Sequence, residues 1–315
     1  IDEAINYGDN LILSHHPLIF KELKTITDKN HIGKIITKAI ENNIAIYSAH
    51  TNIDNNLYGI NLFLTKLLNL VNPQILLPFN NFLYKLVTYV PVEYAQSVRE
   101  SILKAGAGFI GNYDMCSFNS EGTGTFRPLE NTKPFIGTTN DISFVREIKI
   151  ETIVPSHLLK KVINALINSH PYEEVAYDIY PLQNSYNKAG SGIIAETEDF
   201  IDVIKFMEFL KQTLNIKYIK HSKIIKNNIK KIAICSGSGS FLIKEAINKN
   251  VDLFITGEIK YHQYFEAEDK IILIEIGHYE SEKIIKDFFY DFLNKNLTKF
   301  AIHKSKIDTN PIKYF

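Results

Sequence analysis

The sequence predicts an α/β protein of two lobes, interrupted by an inserted ferredoxin-like domain of order βαββαβ. Three observations predict it. Residues 11–48 read as strand, amphipathic helix and strand, which implies a parallel pair joined by a right-handed crossover. Residues 80–184 read as strand, helix, two strands, helix and strand, a self-contained unit. From about Gly190 the chain returns to short apolar strands that end in glycine- or histidine-bearing turns. The expected division is therefore 1–79, 80–184 and 185–315, the first and last parts forming one α/β domain.

Each element follows from its pattern. Leu11-Ile12-Leu13 is a short apolar run that stops at Ser14 and is followed by His15, His16 and Pro17. Pro17 cannot donate to a ladder and biases His16 away from helical geometry, so the strand ends there. Ile32, Ile35, Ile36, Ala39 and Ile40 recur at helical spacing, and residues 44–48 are the second strand. Residues 57–70 are again amphipathic. Within the insert, residues 83–91 alternate like a strand, 92–104 like a helix, and 108–118 like a strand. Residues 120–125 (Ser-Glu-Gly-Thr-Gly-Thr) look like a polar loop, 142–154 a strand, 155–169 a helix with proline in its first turn, and 175–181 a last strand. Beyond it come a short extended run at 193–195, a helix at 200–214, strands at 216–220, 231–235, 251–256 and 271–276, a helix at 241–249 and a long helix from 278 to about 294.

Composition narrows the function classes. The 315 residues are 45% hydrophobic and 22% charged, with 35 basic and 35 acidic side chains, which is ordinary for a globular protein of about two domains. The balanced charge gives no global reason to expect nucleic acid or an anionic membrane. No apolar run approaches the roughly 20 residues of a membrane helix. The two cysteines, Cys116 and Cys235, lie far apart, which fits buried thiols in a reducing cytoplasm. The chain opens on Ile-Asp-Glu-Ala-Ile-Asn, without Met and as if inside a helix. It reads as a fragment lacking an N-terminal segment, with a natural start near Ile1 as the alternative.

Chemistry concentrates at predicted strand ends. Parallel strands deliver their carboxyl ends to one edge, where open α/β sheets bind ligands, so His15, His16, His50 and Asp54 should meet. Adjacent residues on an extended chain point apart, so His15 and His16 suit two neighbouring metals better than one. His278 and Glu282, four apart at a helix start, share a face. Three imidazoles and two carboxylates suit Zn²⁺, Mn²⁺, Fe²⁺ or Co²⁺ rather than Ca²⁺ or Mg²⁺, and two ions about 3.5–4 Å apart would activate water near neutral pH. Taken singly, a His–His pair is commonly incidental and an i,i+4 His/Glu pair a surface contact. Their joint placement at separate strand ends argues for a site. Glu258 and His262 are candidate acid/base groups, or a capping carboxylate and a packed ring; His50 is a candidate to orient a ligand, contact substrate or serve structure. Ser236 to Ser240 reads as a tight strand-to-helix turn, and the string from His170 to Glu174 as a structural helix end.

The stretches LILSHHPLIF, SAHTNID, TGEIKYH and GHYESE, in this order, resemble the GTP cyclohydrolase I type 2 homologue family, also called Nif-three-like proteins. The resemblance spans the whole chain. GAGFIGNYDMCSF, GTGTFRP and HPYEEVAYDIYPL look like the CutA- or PII-like insertion of its long members. It implies a Nif-three-like fold, a toroidal homohexamer and a dinuclear metal centre built on His15, His16, Asp54, His278 and Glu282. It further implies that Glu282 bridges, with His15 and Asp54 on one ion and His16 and His278 on the other. Two functions follow as expectations. One is a metal-dependent hydrolase of a small molecule such as a nucleotide, although the Cys/His/Cys zinc arrangement of the folate-pathway cyclohydrolase is absent. The other is a non-enzymatic regulatory or assembly protein that uses the insert to sense a ligand or bind a partner.

Overall fold

The apolar runs at the N-terminus are too short to stand alone, and in the computed structural model, which describes residues 1–313, they pair at once. Helix α1 (Asp2–Tyr7) leads into β1 (Leu11–Ser14), which pairs in parallel with β2 (Ala45–Ser48) after α2 (His31–Glu41). Asn30 caps α2 by accepting from the Gly33 N–H at 2.8 Å. Gly33 is obligatory there, because a Cβ would sit 1.7 Å from the Thr27 carbonyl oxygen. A short helix, α3 (Thr51–Asp54), and α4 (Ile60–Leu67) follow, and then β3 (Val71–Phe79).

Residues Phe79–Tyr186 form one of two compact units. Its elements are β4 (Leu83–Pro91), α5 (Ala95–Lys104), β5 (Phe118–Phe126), β6 (Ser143–Pro155), α6 (Leu159–Ser169) and β7 (Tyr177–Leu182), and its antiparallel sheet has the order β5-β6-β4-β7. Leu86, Val98, Ile102, Ile150, Val162 and Leu166 build its own core between sheet and helices. Two expectations fail here. Residues 108–117 are not a strand; they hold only an isolated bridge between Ile110 and Tyr113, and the strand begins at Phe118. The polar Gly/Thr stretch 120–125, expected as a loop, is the heart of β5. As an edge strand with most residues exposed, β5 carries no hydrophobic alternation by which it could be read.

The other unit combines Ile1–Pro78 with the described part of Asn187–Phe315. Its later elements are β8 (Tyr186–Asp202), α7 (Val203–Leu214), β9 (Lys220–His221), β10 (Asn228–Cys235), α8 (Ile243–Asn248), β11 (Leu253–Thr256), β12 (Ile272–Glu275), α9 (His278–Glu282) and α10 (Ile285–Asn296). They form a six-stranded sheet of order β3-β8-β10-β11-β12-β9. β10, β11 and β12 are mutually parallel, while β8 runs antiparallel to β10 and β9 to β12.

The central strands are apolar throughout because both faces are covered. Ile232, Ile234, Leu253, Ile255, Ile272 and Ile274 enter one core, with Phe206 and Leu210 of α7. The alternate residues Ala233, Cys235, Phe254 and Leu273 enter a second core with Leu242 and Ile243. α7 starts on Asp202, whose carboxylate accepts from the N–H groups of Ile204 and Lys205 at 3.0 Å each.

The strand β3 was not expected. It contains Pro73 and Pro78, which are tolerated because β3 lies at a sheet edge. The short run 193–195 is the middle of the 17-residue β8, and 216–220 shrinks to the two residues of β9. The single helix expected from 278 is two helices with different buried faces: Ser281 and Glu282 in α9, Ile285 and Phe289 in α10. Among the described residues no helix is long and apolar enough to cross a membrane.

Candidate metal centre

Five parallel strands place the polar residues of the larger unit. β1 ends at Ser14, whose hydroxyl donates to the His16 carbonyl at 2.9 Å and lies 2.8 Å from the Ser48 hydroxyl at the end of β2. The chain therefore turns before the histidines. Their rings do not point apart as extended geometry predicts; their centroids are 4.9 Å from one another. His50, the residue before α3, brings its ring 5.1 Å from His15 and 5.0 Å from His16. From the carboxyl ends of β10, β11 and β12 come Ser236, Glu258 and His278, and one turn of α9 adds Glu282.

The side chains converge on Glu282. His15 Nε2 is 3.7 Å from its Oε1, and Oε2 is 3.2 Å from His16 Nε2 and 3.1 Å from His278 Nε2. Asp54 Oδ1 is 3.5 Å from His15 Nε2. Two sets of ligand atoms lie within metal-binding reach, His15/His16/His50 and His16/His278/Glu282. All five expected ligand positions thus meet in one cluster, and His50 joins them as a group with a ligand atom of its own. Glu258 is not placed as a free acid or base: its Oε1 is 2.8 Å from His278 Nδ1. His262 stacks edge-on against Tyr261 at 5.2 Å and belongs to neither ligand set.

Hydrogen bonds on the far side of two rings fix which nitrogen faces inward. His15 Nδ1 lies 2.9 Å from the Ala49 carbonyl, which only accepts, so Nδ1 carries the proton and Nε2 is turned into the cluster. Glu258 does the same for His278. The inner atoms face only one another. His15 Nε2, Asp54 Oδ1 and Glu282 Oε2 are buried, make no well-formed hydrogen bond among the described residues, and meet across 3.1–3.7 Å contacts within the cluster. Buried polar atoms without a hydrogen bond are rare, and three that converge from separate elements suit divalent cations. Mixed imidazole and carboxylate donors fit Zn²⁺, Mn²⁺, Fe²⁺ or Co²⁺.

Electrostatics in the metal-free cluster follow from the same contacts. Burial alone would raise the Glu282 carboxyl, but His15 and His278 outweigh it and hold it at about 2. Glu282, and then Glu258, lift His278 to about 9 against the opposing effect of burial. Burial pushes Asp54 up to about 6. It also works to lower His15, where Glu282 and Asp54 prevail and the net shift is upward. His16 and His50 are lowered, chiefly by burial.

Supporting residues escaped the sequence reading. Asn61 of α4, 1% exposed, donates from Nδ2 to the Asp54 carbonyl at 3.1 Å and accepts at Oδ1 from the Ser236 N–H at 2.8 Å. Its signal was a polar side chain within the apolar run Ile60-Asn61-Leu62-Phe63-Leu64. The 236–240 segment is a tight turn, and Gly237 (φ +62°) leaves space for the site: a Cβ there would be 2.3 Å from Glu282 Oε1. Ser281 holds the turn by accepting from the Gly237 N–H at 2.9 Å and donating to the His278 carbonyl at 2.8 Å. Cys235, beside this turn, is a buried thiol pushed up to about 12 by desolvation, so it is inert.

Comparison with known proteins places these residues in context. A family model, Duf34/NIF3 (NGG1p interacting factor 3), matches residues 1–311. Proteins called GTP cyclohydrolase 1 type 2 homolog are similar over most of their length. That of Halalkalibacterium halodurans is 41% identical over 299 residues, 94% of this chain and 80% of the relative. That of Bacillus subtilis is 39% identical over 323 residues, 100% of this chain and 86% of the relative. Among solved structures, a Bacillus cereus protein related to NIF3 superposes with a TM-score of 0.82 at 38% identity, covering 100% of this chain and 85% of that one.

Two outcomes test this geometry. His278 at about 9 stands above its ordinary 6.5, so its contribution to folding is complete below pH 6.5 and is lost as pH rises through 9. Thermal melts of metal-free protein should show the stability difference from His278→Gln shrinking across that window, and a difference that grows would contradict the assignment. Asn61→Ala leaves the Asp54 carbonyl and the Ser236 N–H unpaired, each at a cost on the order of 1–3 kcal/mol. Denaturant melts should show this loss, and metal titration should show weaker binding in the folded fraction.

Proposed function

We propose that this chain, which belongs to the Duf34/NIF3 family, binds two divalent metal ions and uses them to hydrolyse a small anionic molecule. The observation that carries this reading is the convergence of three buried donor atoms that lack a hydrogen bond, His15 Nε2, Asp54 Oδ1 and Glu282 Oε2. Glu282 is the bridging group in this reading, since its two oxygens face His15 on one side and His16 with His278 on the other. His15 and Asp54 go with one ion and His16 and His278 with the second, and His50, within reach of both His15 and His16, is a further donor. Zn²⁺, Mn²⁺, Fe²⁺ and Co²⁺ suit these donors. Bound there, divalent ions would supply Lewis acidity, an activated water and positive charge left over from two carboxylates.

The protein's own residues prepare the site. Ala49 and Glu258 hold two rings with Nε2 inward, so His15 and His278 keep their Nδ1 hydrogen bonds when they ligate. In the metal-free cluster His278 holds its extra proton at neutral pH and Asp54 holds one below about pH 6, and loading displaces both. His16, the most exposed ligand candidate with 53% of its side chain accessible, marks the open face through which a substrate reaches the centre. The relatives' name suggests GTP as a substrate, and a phosphate-bearing small molecule fits the charge of the loaded site. We read the chain further as a cytoplasmic homohexamer subunit, with its βαββαβ unit a ferredoxin-like, CutA- or PII-like domain. A second reading, metal-dependent regulation without turnover, is favoured by a ligand-sized cavity in that unit.

Metal-loaded protein should turn over members of a nucleotide and phosphoester panel, and Glu282→Ala should lose both metal and turnover by elemental analysis and product assay. Turnover untouched by that substitution would sink the hydrolase reading. Loss of metal with no turnover of any panel member in the parent would favour the regulatory one. Glu258→Gln should weaken metal binding about tenfold, the low end for a group that orients a ligating histidine, because Glu258 is half exposed. Calorimetric titration with Zn²⁺ or Mn²⁺ measures it.

A further inference from the structure

The βαββαβ unit holds a cavity of about 630 Å³ that the metal centre does not use. We infer that it binds a small organic cation, an ammonium or guanidinium ion on an apolar body.

The volume lies within the range of roughly 300–1,000 Å³ typical of small-molecule sites. One part of the wall is aromatic: Tyr89, Phe126, Phe135 and Tyr172. The Phe126 and Tyr172 rings meet edge-on at 5.9 Å. The charged part is acidic, with Glu121, Glu147, Glu173 and Glu174 set against Lys149. Glu121 is occupied by Arg146, Lys149 by Glu151 at 3.5 Å, and Glu173 accepts from the Lys133 N–H at 2.9 Å. Glu147 and Glu174 make no ion pair among the described residues.

Glu147 is the decisive group. It is 7% exposed on β6 and accepts the Tyr172 hydroxyl at Oε1, 2.7 Å away. Its Oε2 has no hydrogen-bond partner among the described residues and lies against Gly124 of β5, where a Cβ would come within 2.1 Å. Gly124 thus makes room for a carboxylate that no Lys or Arg among the described residues pairs with. Glu147 lines the cavity. An ammonium or guanidinium group there would pair with its second oxygen, and the aromatic wall favours a cation and an apolar body together.

The wall is also held in place. Tyr172 donates its N–H to His170 Nδ1 at 3.1 Å, so the opposite nitrogen carries the proton and donates to the Tyr89 carbonyl at 3.0 Å. Burial keeps this histidine below its ordinary pKa, which suits the neutral form. The string from His170 to Glu174, expected to do only a structural job, therefore positions one side of the cavity.

Three indole ligands of matched shape test the inference on the full, metal-loaded chain: cationic tryptamine, neutral tryptophol and anionic indole-3-acetate. The protein has no tryptophan, so indole fluorescence anisotropy reports the ligand alone. Tryptamine should bind saturably, tryptophol at least about tenfold more weakly, and indole-3-acetate not detectably. Glu147→Gln, which keeps an acceptor for Tyr172, should remove most of the preference for tryptamine over tryptophol. Metal-stripped protein should give the same ranking, which separates this cavity from the metal centre. Equal binding of all three, preference for the anion, or no saturable tryptamine binding at millimolar concentration would overturn the inference. If the substitution prevents cooperative folding, the ranking on the unaltered chain decides.

Discussion

A carboxylate that is only 7% exposed and faced by three imidazoles is the constraint on which the larger unit depends. Glu282 could not stay ionised in that position by itself, because burial penalises charge. It stays ionised because His15 and His278 reach it from opposite ends of the chain. The parallel pair β1–β2 and the parallel trio β10–β11–β12 therefore have to deliver their carboxyl ends to one place. Parallel strands give that convergence, and their cost is burial on both faces, visible in the uninterrupted apolar runs of β10, β11 and β12.

Convergence of strand ends fixes the cluster only to within a few ångströms, and close fitting comes from small residues and one amide. Gly257 and Gly237 let two turns touch: a Cβ on Gly257 would lie 2.5 Å from the Gly237 carbonyl oxygen. Asn61 then ties the backbone of Asp54 to that of Ser236, using both ends of its amide. Each tie satisfies backbone groups that would otherwise be orphaned where the strands stop. The same contacts that repair broken ladders hold the cluster's turns in register.

Much of this was legible in the sequence, for identifiable reasons. The apolar strands and the amphipathic α2 announce themselves by periodicity, and Pro17 marks the turn after β1. The five candidate ligand positions, which the structure brings together, followed from polar residues at strand ends and from the resemblance to the Nif-three-like family. What stayed hidden lacked a local signal. β5 is a glycine- and threonine-rich edge strand, so its pattern imitates a loop, and β3 carries two prolines that an edge tolerates. His50 and Glu258 were visible as candidates but not in their roles, because ring distances and the partner of His278 Nδ1 depend on tertiary geometry. The extended-chain rule does not reach His15 and His16, because both lie beyond the end of β1, in the turn that Ser14 opens.

The ligand candidates differ in how firmly they are held, and the difference follows from their hydrogen-bond partners. His15 is anchored to a backbone carbonyl that cannot titrate or rotate, and its side chain is 5% exposed. His278 is anchored to Glu258, a side chain more than half exposed, and is itself one-third exposed. His16 has no comparable anchor beyond the turn that carries it. The cluster is thus rigid and closed on the His15–Asp54 side and open on the His16–His278 side, with Glu282 between them. In a dinuclear reading this asymmetry assigns a holding role to one position and an exchanging, substrate-facing role to the other, although the donor chemistry of the two is nearly the same.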